Sequence, residues 1–324
     1  MTSERAYCTG GVSNFEFWKT DPGVLSTQLS GNTSEDCCEY NMMKLTRHVF
    51  SWSPRAEHMD YYERLMFNHR LGTIDPETGT TVYFVPVGGG YSKIFAKPFD
   101  SFWCCSGSGA EEFAKLTDTI YFHDDHSILV NLYIASSVDW PEKGIHLSQQ
   151  TTFPEEQGTT LVVSAAKPAD VDLKLRIPYW VKNGSVKVNG RPLPAFADPG
   201  SYLVLRGPWK NGDRIELSLP MQLHAAPMPD RENLQAAMYG PLVLAARFED
   251  EPKEKWYRHY QAQTKQEPAP PLQFEGKVGD PASWLQPAEG KLKFHGTSQE
   301  HAVTFVPLSS ILHERYFVYH EIQA

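Results

Sequence analysis

The 324-residue sequence predicts a mixed, multidomain fold, helical at its start and built of β-sandwich domains after that. Apolar residues recur at helical spacing between residues 34 and 72, and after about residue 126 they alternate in short β-branched and aromatic runs punctuated by NG, PG and GD turns. Single hydrophobic cores stop growing near roughly 250 residues, so a chain of this length is expected to divide. The changes of pattern put the divisions at 1–125, 126–225 and 226–324.

Residues 34–50, SEDCCEYNMMKLTRHVF, read as a helix. Ser34 is a cap, Glu35 and Asp36 suit the positive end of the dipole, and Cys38, Met42, Leu45 and Val49 share a face. AEHMDYYERLMFNHRLG reads as a second helix with Met59, Tyr62, Met66 and Leu71 on one side and Gly72 as its stop. TVYFVPV is a short strand or extended segment, and GGGYSK a flexible turn. In SFWCCSGSGAEEFAKLTDTIYF a third helix is expected to start at Ser108 and Gly109 and to carry Phe113, Leu116 and Ile120 inward. Cys104 and Cys105 then lie in the loop just before a helix N-terminus, which favours thiolate over thiol.

Beyond that point SILVNLYIAS, GIHLSQQTTF, TTLVVSAA, VDLKLRIPYW, SVKVNG, SYLVLRG and DRIELSLPM read as sandwich strands. PLVLAARF and KLKFHG, on either side of the Pro-rich segment 266–273, read as strands of a second, looser β unit.

Composition narrows the partners. The formal net charge of −9, without a visible basic patch, excludes a nucleic-acid backbone as the expected ligand. No run approaches the roughly 18 apolar residues of a membrane span. A neutral ligand fits better, and the 8 Trp, 15 Tyr and 17 Phe suit sugar stacking and sandwich cores alike. MTSERAYCTGG lacks the charged start and apolar stretch of a signal peptide, so a cytoplasmic protein is expected if Met1 is the start; another start leaves a leader open.

The cysteines carry the chemistry. All five, Cys8, Cys37, Cys38, Cys104 and Cys105, precede residue 106, and two pairs are sequence neighbours, which resist bridging across a trans peptide. Metal or thiolate chemistry is the better reading. Glu35, Cys37, Cys104 and Cys105 offer three thiolates and a carboxylate, a tetrahedral set whose soft sulfur selects zinc over magnesium or calcium. A structural zinc, or buried thiols without metal, fits the same spacing. Glu16, in TGGVSNFEFW, lies among aromatics after a glycine turn; a carboxyl held beside apolar rings suits a general acid, and a solvent-facing glutamate is the plainer alternative. His48, His58 and His69 sit on helices, where polar or capping roles are expected rather than metal ligation.

Taken in order, TGGVSNFEFW, SEDCCEYNMMKLTRHVF, YYERLMFN, VYFVPVGGG, SFWCCSGSGAEEFAKL, LVNLYIAS, LRIPYW and WKNGD resemble the beta-L-arabinofuranosidases of glycoside hydrolase families 127 and 146, formerly a domain of unknown function. The resemblance covers about residues 9–225 and is loose beyond. It implies a retaining hydrolase of arabinofuranoside-containing oligosaccharides or glycans. Cys104 would be the nucleophile and Glu16 the acid/base, with Zn2+ held by Glu35, Cys37, Cys104 and Cys105. Tyr83 matches a position near the sugar or nucleophile, and a core strand tyrosine is its plainer reading. Cys38 departs from the small or polar residue expected after the Glu-x-Cys motif; it either packs on the helix face with Met42 or competes with Cys37 for the metal.

The resemblance also implies an alpha/alpha six-fold barrel as catalytic domain. Residues 1–125 offer about four or five helices by periodicity, so only the C-terminal portion of such a barrel is expected. A fragment, a miscalled start or a split gene would account for this, and a separate polypeptide carrying the other helices is an expected partner. The alternative function is a non-catalytic sugar-binding or interaction protein with a structural zinc. The intact cysteine pair and Glu16 favour catalysis; the incomplete barrel favours binding. A cysteine hydrolase of amides or esters would need a histidine base near Cys104, for which there is no local signature.

Overall fold

The computed structural model describes residues 2–99, 101–298 and 301–323; Met1 lies outside them. Contacts divide the chain into two compact units. The first comprises residues 1–46, 61–114 and 223–324, the second residues 47–60 and 115–222. Residues 226–324, expected as a domain of their own, therefore fold with the first part of the chain. The reason is apolar: Val82, Val85, Val87 and Phe95 are fully buried, and they share one core with Met238, Val243, Ala245, Val306 and Val318. GGGYSK, expected to be flexible, is tied into the same unit by Gly90 N–H to Tyr316 O (2.9 Å) and Ala269 N–H to Gly89 O (2.9 Å).

Three α-helices occur among the described residues: α1 (Asp36–Trp52), α2 (Ala56–Asn68) and α3 (Cys104–Phe113). This is fewer than the periodicity promised. Residues before α1 form turns and isolated bridges, with Gly10, Ser13, Phe15 and Glu16 all at positive φ, and Leu116–Thr119 make only a 3-10 turn. Most of the remaining regular structure is β-sheet.

α1 does not use Ser34 as its cap. Ser34 sits at φ +57°, and the Glu35 carboxylate accepts the Cys38 N–H through Oε2 at 2.9 Å. α2 ends in a 3-10 turn, Arg70–Gly72, which delivers the fully buried Arg70 guanidinium to two carboxylates, Asp36 of α1 and Glu112 of α3. Burial pushes the Asp36 carboxyl up to about 6, against the pull of Arg70. Arg70 thus joins the starts of α1 and α2's continuation to the end of α3 by charge rather than by apolar packing.

The sheet of the first unit runs Gln273–Glu275, Tyr319–Gln323, Arg231–Tyr239, Leu242–Asp250, His301–Pro307, Phe294–Ser298, Gln286–Pro287. Only its first pair is parallel. Leu223–Met228 adds to Arg231–Tyr239, and Glu314–Phe317 to Leu242–Asp250. Lys93 is fully buried in this unit and donates Nζ to the carbonyls of Leu308 (3.1 Å) and Ile311 (2.6 Å). Burial pulls its ammonium down to about 7. Between about pH 7 and the unfolded lysine value of about 10.4, the unfolded chain binds more protons than the folded one, so this group makes stability rise with pH; below about 7 both states are charged and its slope vanishes. The expected result for Lys93→Met is loss of that rise in melting temperature between pH 7 and 9. An unchanged slope would refute it.

The second unit carries two sheets. One runs Tyr121–His123, Ser127–Val130, Asp172–Ile177, Ser201–Leu205. The other runs Ser136–Trp140, Ile145–Gln150, Gly158–Ser164, Arg214–Ser218, Ser185–Val188, Arg191–Pro192. Each of the seven runs expected as strands contains one. Alternation buries Leu147, Leu161, Val163, Leu173, Leu175 and Ile215 completely. The end of α1 and the start of α2 belong here: Phe50 packs edge-on against Phe122 at 4.7 Å, and Asp60 pairs with the buried Arg176, whose Nε also donates to Asn131 O at 2.6 Å. No helix among the described residues is long and apolar enough to cross a membrane.

Candidate active site

Every residue of the expected site lies in the first unit. The start of α1 is laced to the extended segment 83–85: Asp36 N–H donates to Tyr83 O (2.9 Å), Val85 N–H to Ser34 O (3.1 Å), and Glu35 bridges Phe84. This sets Glu35 and Cys37 beside Tyr83. α3 begins four residues earlier than expected, with Trp103 as N-cap, so Cys104 and Cys105 are its first two residues rather than a preceding loop. A Cβ at Gly109 would stand 2.6 Å from Thr81 Cγ2, so only glycine lets α3 lie this close to the segment leading to Tyr83.

These constraints bring four donors together. The ligand atoms of Glu35, Cys37, Cys104 and Cys105 all lie within 4.8 Å of one another. Cys37 Sγ is 3.5 Å and Cys104 Sγ 3.8 Å from Cys105 Sγ, while Glu35 Oε1 is 3.4 Å from Cys105 Sγ and 3.8 Å from Cys104 Sγ. A four-coordinate metal with metal–sulfur bonds of about 2.3 Å and metal–oxygen bonds of about 2.0 Å needs tetrahedral edges of roughly 3.8 and 3.5 Å. The group fits such an ion. Glu35 serves twice, Oε2 capping α1 while Oε1 faces the thiols.

The thiols are unequal. Cys37 is held below the usual thiol range by its hydrogen bond to Cys105, aided by Ser108, whose Oγ is 3.0 Å from Cys37 Sγ. Cys105 is pushed up, first by Cys37 and then by burial. Cys104 is pushed up by burial and is the exposed member of the set. Cys38 lies outside the four-donor group, its thiol raised by burial and by Glu35. Cys8 is buried, pushed up to about 12 by burial, and its N–H donates to Tyr319 Oη at 2.8 Å.

Tyr83 connects this cluster to Glu16. Its hydroxyl donates to Glu16 Oε1 and lies 3.6 Å from Cys104 Sγ as acceptor. Burial, then Glu16, then Cys104 raise the phenol, which keeps its proton. Glu16 is not enclosed by its neighbouring rings as expected: Phe17 and Trp18 are 65% and 53% exposed, and Glu16 itself is exposed. It is held by its turn instead. Asn14 and Phe17 exchange both backbone hydrogen bonds (2.9 and 3.2 Å) around Phe15 and Glu16, both at positive φ. Asn or Gly normally fills such positions, and each bulkier residue there costs roughly 1–2 kcal/mol. The loop is fastened behind by Val12 N–H to the buried Glu39 Oε1 (2.7 Å), whose carboxyl burial raises well above the carboxylate range.

His69 lies outside the four-donor group. It is fully buried, with Nε2 3.2 Å from Ser34 O, and burial lowers it to about 3. His48 and His58 lie in the second unit. Sequence reasoning missed Trp103, Ser108, His259 and Tyr260. Tyr260 stacks on Tyr83 at 4.3 Å and 22°, and Trp103 stands edge-on to His259 (5.6 Å) and Tyr260 (5.4 Å). The dense aromatic run WYRHY was the one visible signal for His259 and Tyr260.

A model described as the beta-L-arabinofuranosidase GH127 catalytic domain matches residues 1–118, and the corresponding GH127 middle domain matches residues 127–221. The chain is thus a member of a glycoside hydrolase family. It belongs to the GH127 beta-L-arabinofuranosidases. Similar solved structures include a GH127 beta-L-arabinofuranosidase from Geobacillus stearothermophilus T6, with a TM-score of 0.76 at 18% identity over 99% of this chain and 55% of that one. A second GH127 beta-arabinofuranosidase gives 0.76 at 19% identity, covering 99% and 54%. A structure described as a glycoside hydrolase gives 0.77 at 16%, covering 99% and 60%. These likenesses establish the fold, and the chain spans little more than half the length of the proteins it matches. No curated protein matches it.

Proposed function

We propose that this chain carries the nucleophile, acid/base and metal site of a retaining hydrolase that releases L-arabinofuranose from arabinofuranoside-containing glycans. The observation that carries the reading is the four-donor cluster joined through the Tyr83 hydroxyl to Glu16. Glu35, Cys37, Cys104 and Cys105 would hold Zn2+, chosen over hard cations by the three sulfurs. Bound there, it would keep the sulfurs as thiolates at neutral pH and fix their direction.

Cys104 Sγ attacks the anomeric carbon as the glycosidic C–O bond breaks and Glu16 gives its proton to the leaving oxygen. In the second step water attacks the same carbon, the C–S bond breaks with its electrons returning to sulfur, and Glu16 takes the proton from water. Two displacements retain configuration. Tyr83 keeps the pair in register: its hydroxyl is bonded to Glu16 Oε1 while its oxygen lies 3.6 Å from Cys104 Sγ, and the proton that Glu16 takes from water in the second step restores the acid for the next turnover.

Residues 1–125 are read as the C-terminal portion of an alpha/alpha barrel, 126–225 as its following sandwich and 226–324 as a C-terminal β-rich part. Turnover by this chain alone belongs to the proposal. The expected result is one zinc per chain and release of arabinose from an aryl arabinofuranoside, lost on chelation and restored by zinc. Tight zinc binding without turnover would instead favour the sugar-binding alternative, with the ion purely structural.

A further inference from the structure

We propose that Tyr260 is a positioning residue for Tyr83, so that the stretch 256–266, outside both matched family domains, forms a wall of the active site. This rests on the reading of Cys104 and Glu16 as the catalytic pair. Tyr83 must keep one oxygen within reach of both Cys104 and Glu16, and a small swing at its Cβ moves that oxygen much further than the ring's root. On the structure it is held by faces: Tyr260 lies nearly parallel to it at 4.3 Å, Phe84 is tilted at 4.7 Å, and Trp103 stands 6.0 Å away. Tyr260 also touches Trp103, the residue that caps α3 just before Cys104. One ring therefore braces both sides of the nucleophile.

The brace is itself anchored. Phe95 exchanges backbone hydrogen bonds with this stretch, its N–H donating to Trp256 O (3.0 Å) and its carbonyl accepting from Arg258 N–H (3.0 Å). Tyr257 donates its hydroxyl to Asp75. After Tyr260 the chain turns into a 3-10 segment, Tyr260–Lys265, where the buried Gln263 side chain donates to Ser92 O at 2.9 Å. Tyr260 is held from before and after by residues 92–95. Among the described residues its hydroxyl has no hydrogen-bond partner, so the ring rather than the hydroxyl does the positioning.

The test is a double-mutant cycle on the zinc-loaded chain, read by kcat and KM on an aryl arabinofuranoside and by the rate of iodoacetamide modification of Cys104. Tyr260→Leu is expected to lower kcat about tenfold with KM little changed, since small misplacements at a reacting centre cost up to about 100-fold. Tyr260→Phe should behave like the parent. Tyr83→Phe should lower kcat about 100-fold, and Tyr83→Phe with Tyr260→Leu should be no slower than Tyr83→Phe alone. Zinc content and melting temperature check the fold; should Tyr260→Leu not fold, Tyr260→His, a smaller ring, takes its place. Additive effects, a change confined to KM, or a Tyr260→Phe as slow as Tyr260→Leu would overturn the proposal. A parent chain without turnover would defeat the hydrolase reading, and the Cys104 modification rates would still decide the coupling of Tyr260 to Tyr83.

Discussion

Cys104→Ala is expected to lower arabinofuranoside turnover by about 10⁴-fold or more, because loss of a covalent nucleophile removes the first displacement altogether. Glu16→Gln should behave differently. A general acid contributes roughly 10²–10⁴-fold, most where the leaving oxygen is basic, so the loss should be large on an arabinan and small for bond cleavage in a nitrophenyl arabinofuranoside. That contrast separates the two roles within a single site. Undiminished turnover by Cys104→Ala would end the proposed mechanism. An equal loss for both leaving groups in Glu16→Gln would remove Glu16 as the acid.

Arg70→Ala is expected to destabilise the chain by about 3–5 kcal/mol, the usual cost of leaving buried charge without its partner. Asp36 and Glu112 are both buried and both face this one guanidinium. Arg70→Lys should recover little, since a point charge cannot serve two carboxylates as a planar fork does. Urea unfolding of the two variants measures it, and a loss under about 1 kcal/mol would contradict it. Because Asp36 lies between Glu35 and Cys37, and Glu112 on the helix that begins with Cys104, the same variant should weaken zinc binding although Arg70 touches none of the four donors.

Much of this site could be read from the chain itself, and the parts that could not share a cause. Periodicity found the helix that bears Cys37 and seven of the ten strands described in the second unit, since each is a local pattern of apolar residues. It placed the third helix too late because CCSGSG carries no apolar spacing, and the glycine that matters there, Gly109, is needed for contact with Thr81, a residue far away in sequence. The same limit explains Arg70. Its position after a helix reads as an ordinary basic C-terminus, and nothing local says that Asp36 and Glu112 converge on it. Glu16 was singled out from its motif, and of its two local readings the exposed one holds: the aromatics around it face outward, and a turn at positive φ together with Tyr83 holds it. Tyr260 announced itself only as part of an aromatic run, because its partner, Tyr83, lies far earlier in the chain.

That order also bears on how the protein is made. The unit holding Cys104 and Cys105 is closed by residues translated long after them, among them Tyr260 and, at the far end, Tyr319, which accepts the Cys8 N–H. At roughly 5–20 residues per second, the ribosome takes on the order of ten seconds to pass from the cysteine pair to the aromatic wall, and most of the second unit, residues 115–222, emerges in between. During synthesis the nascent thiols stand uncovered, so zinc supply and a reducing milieu matter to this chain before it has finished folding.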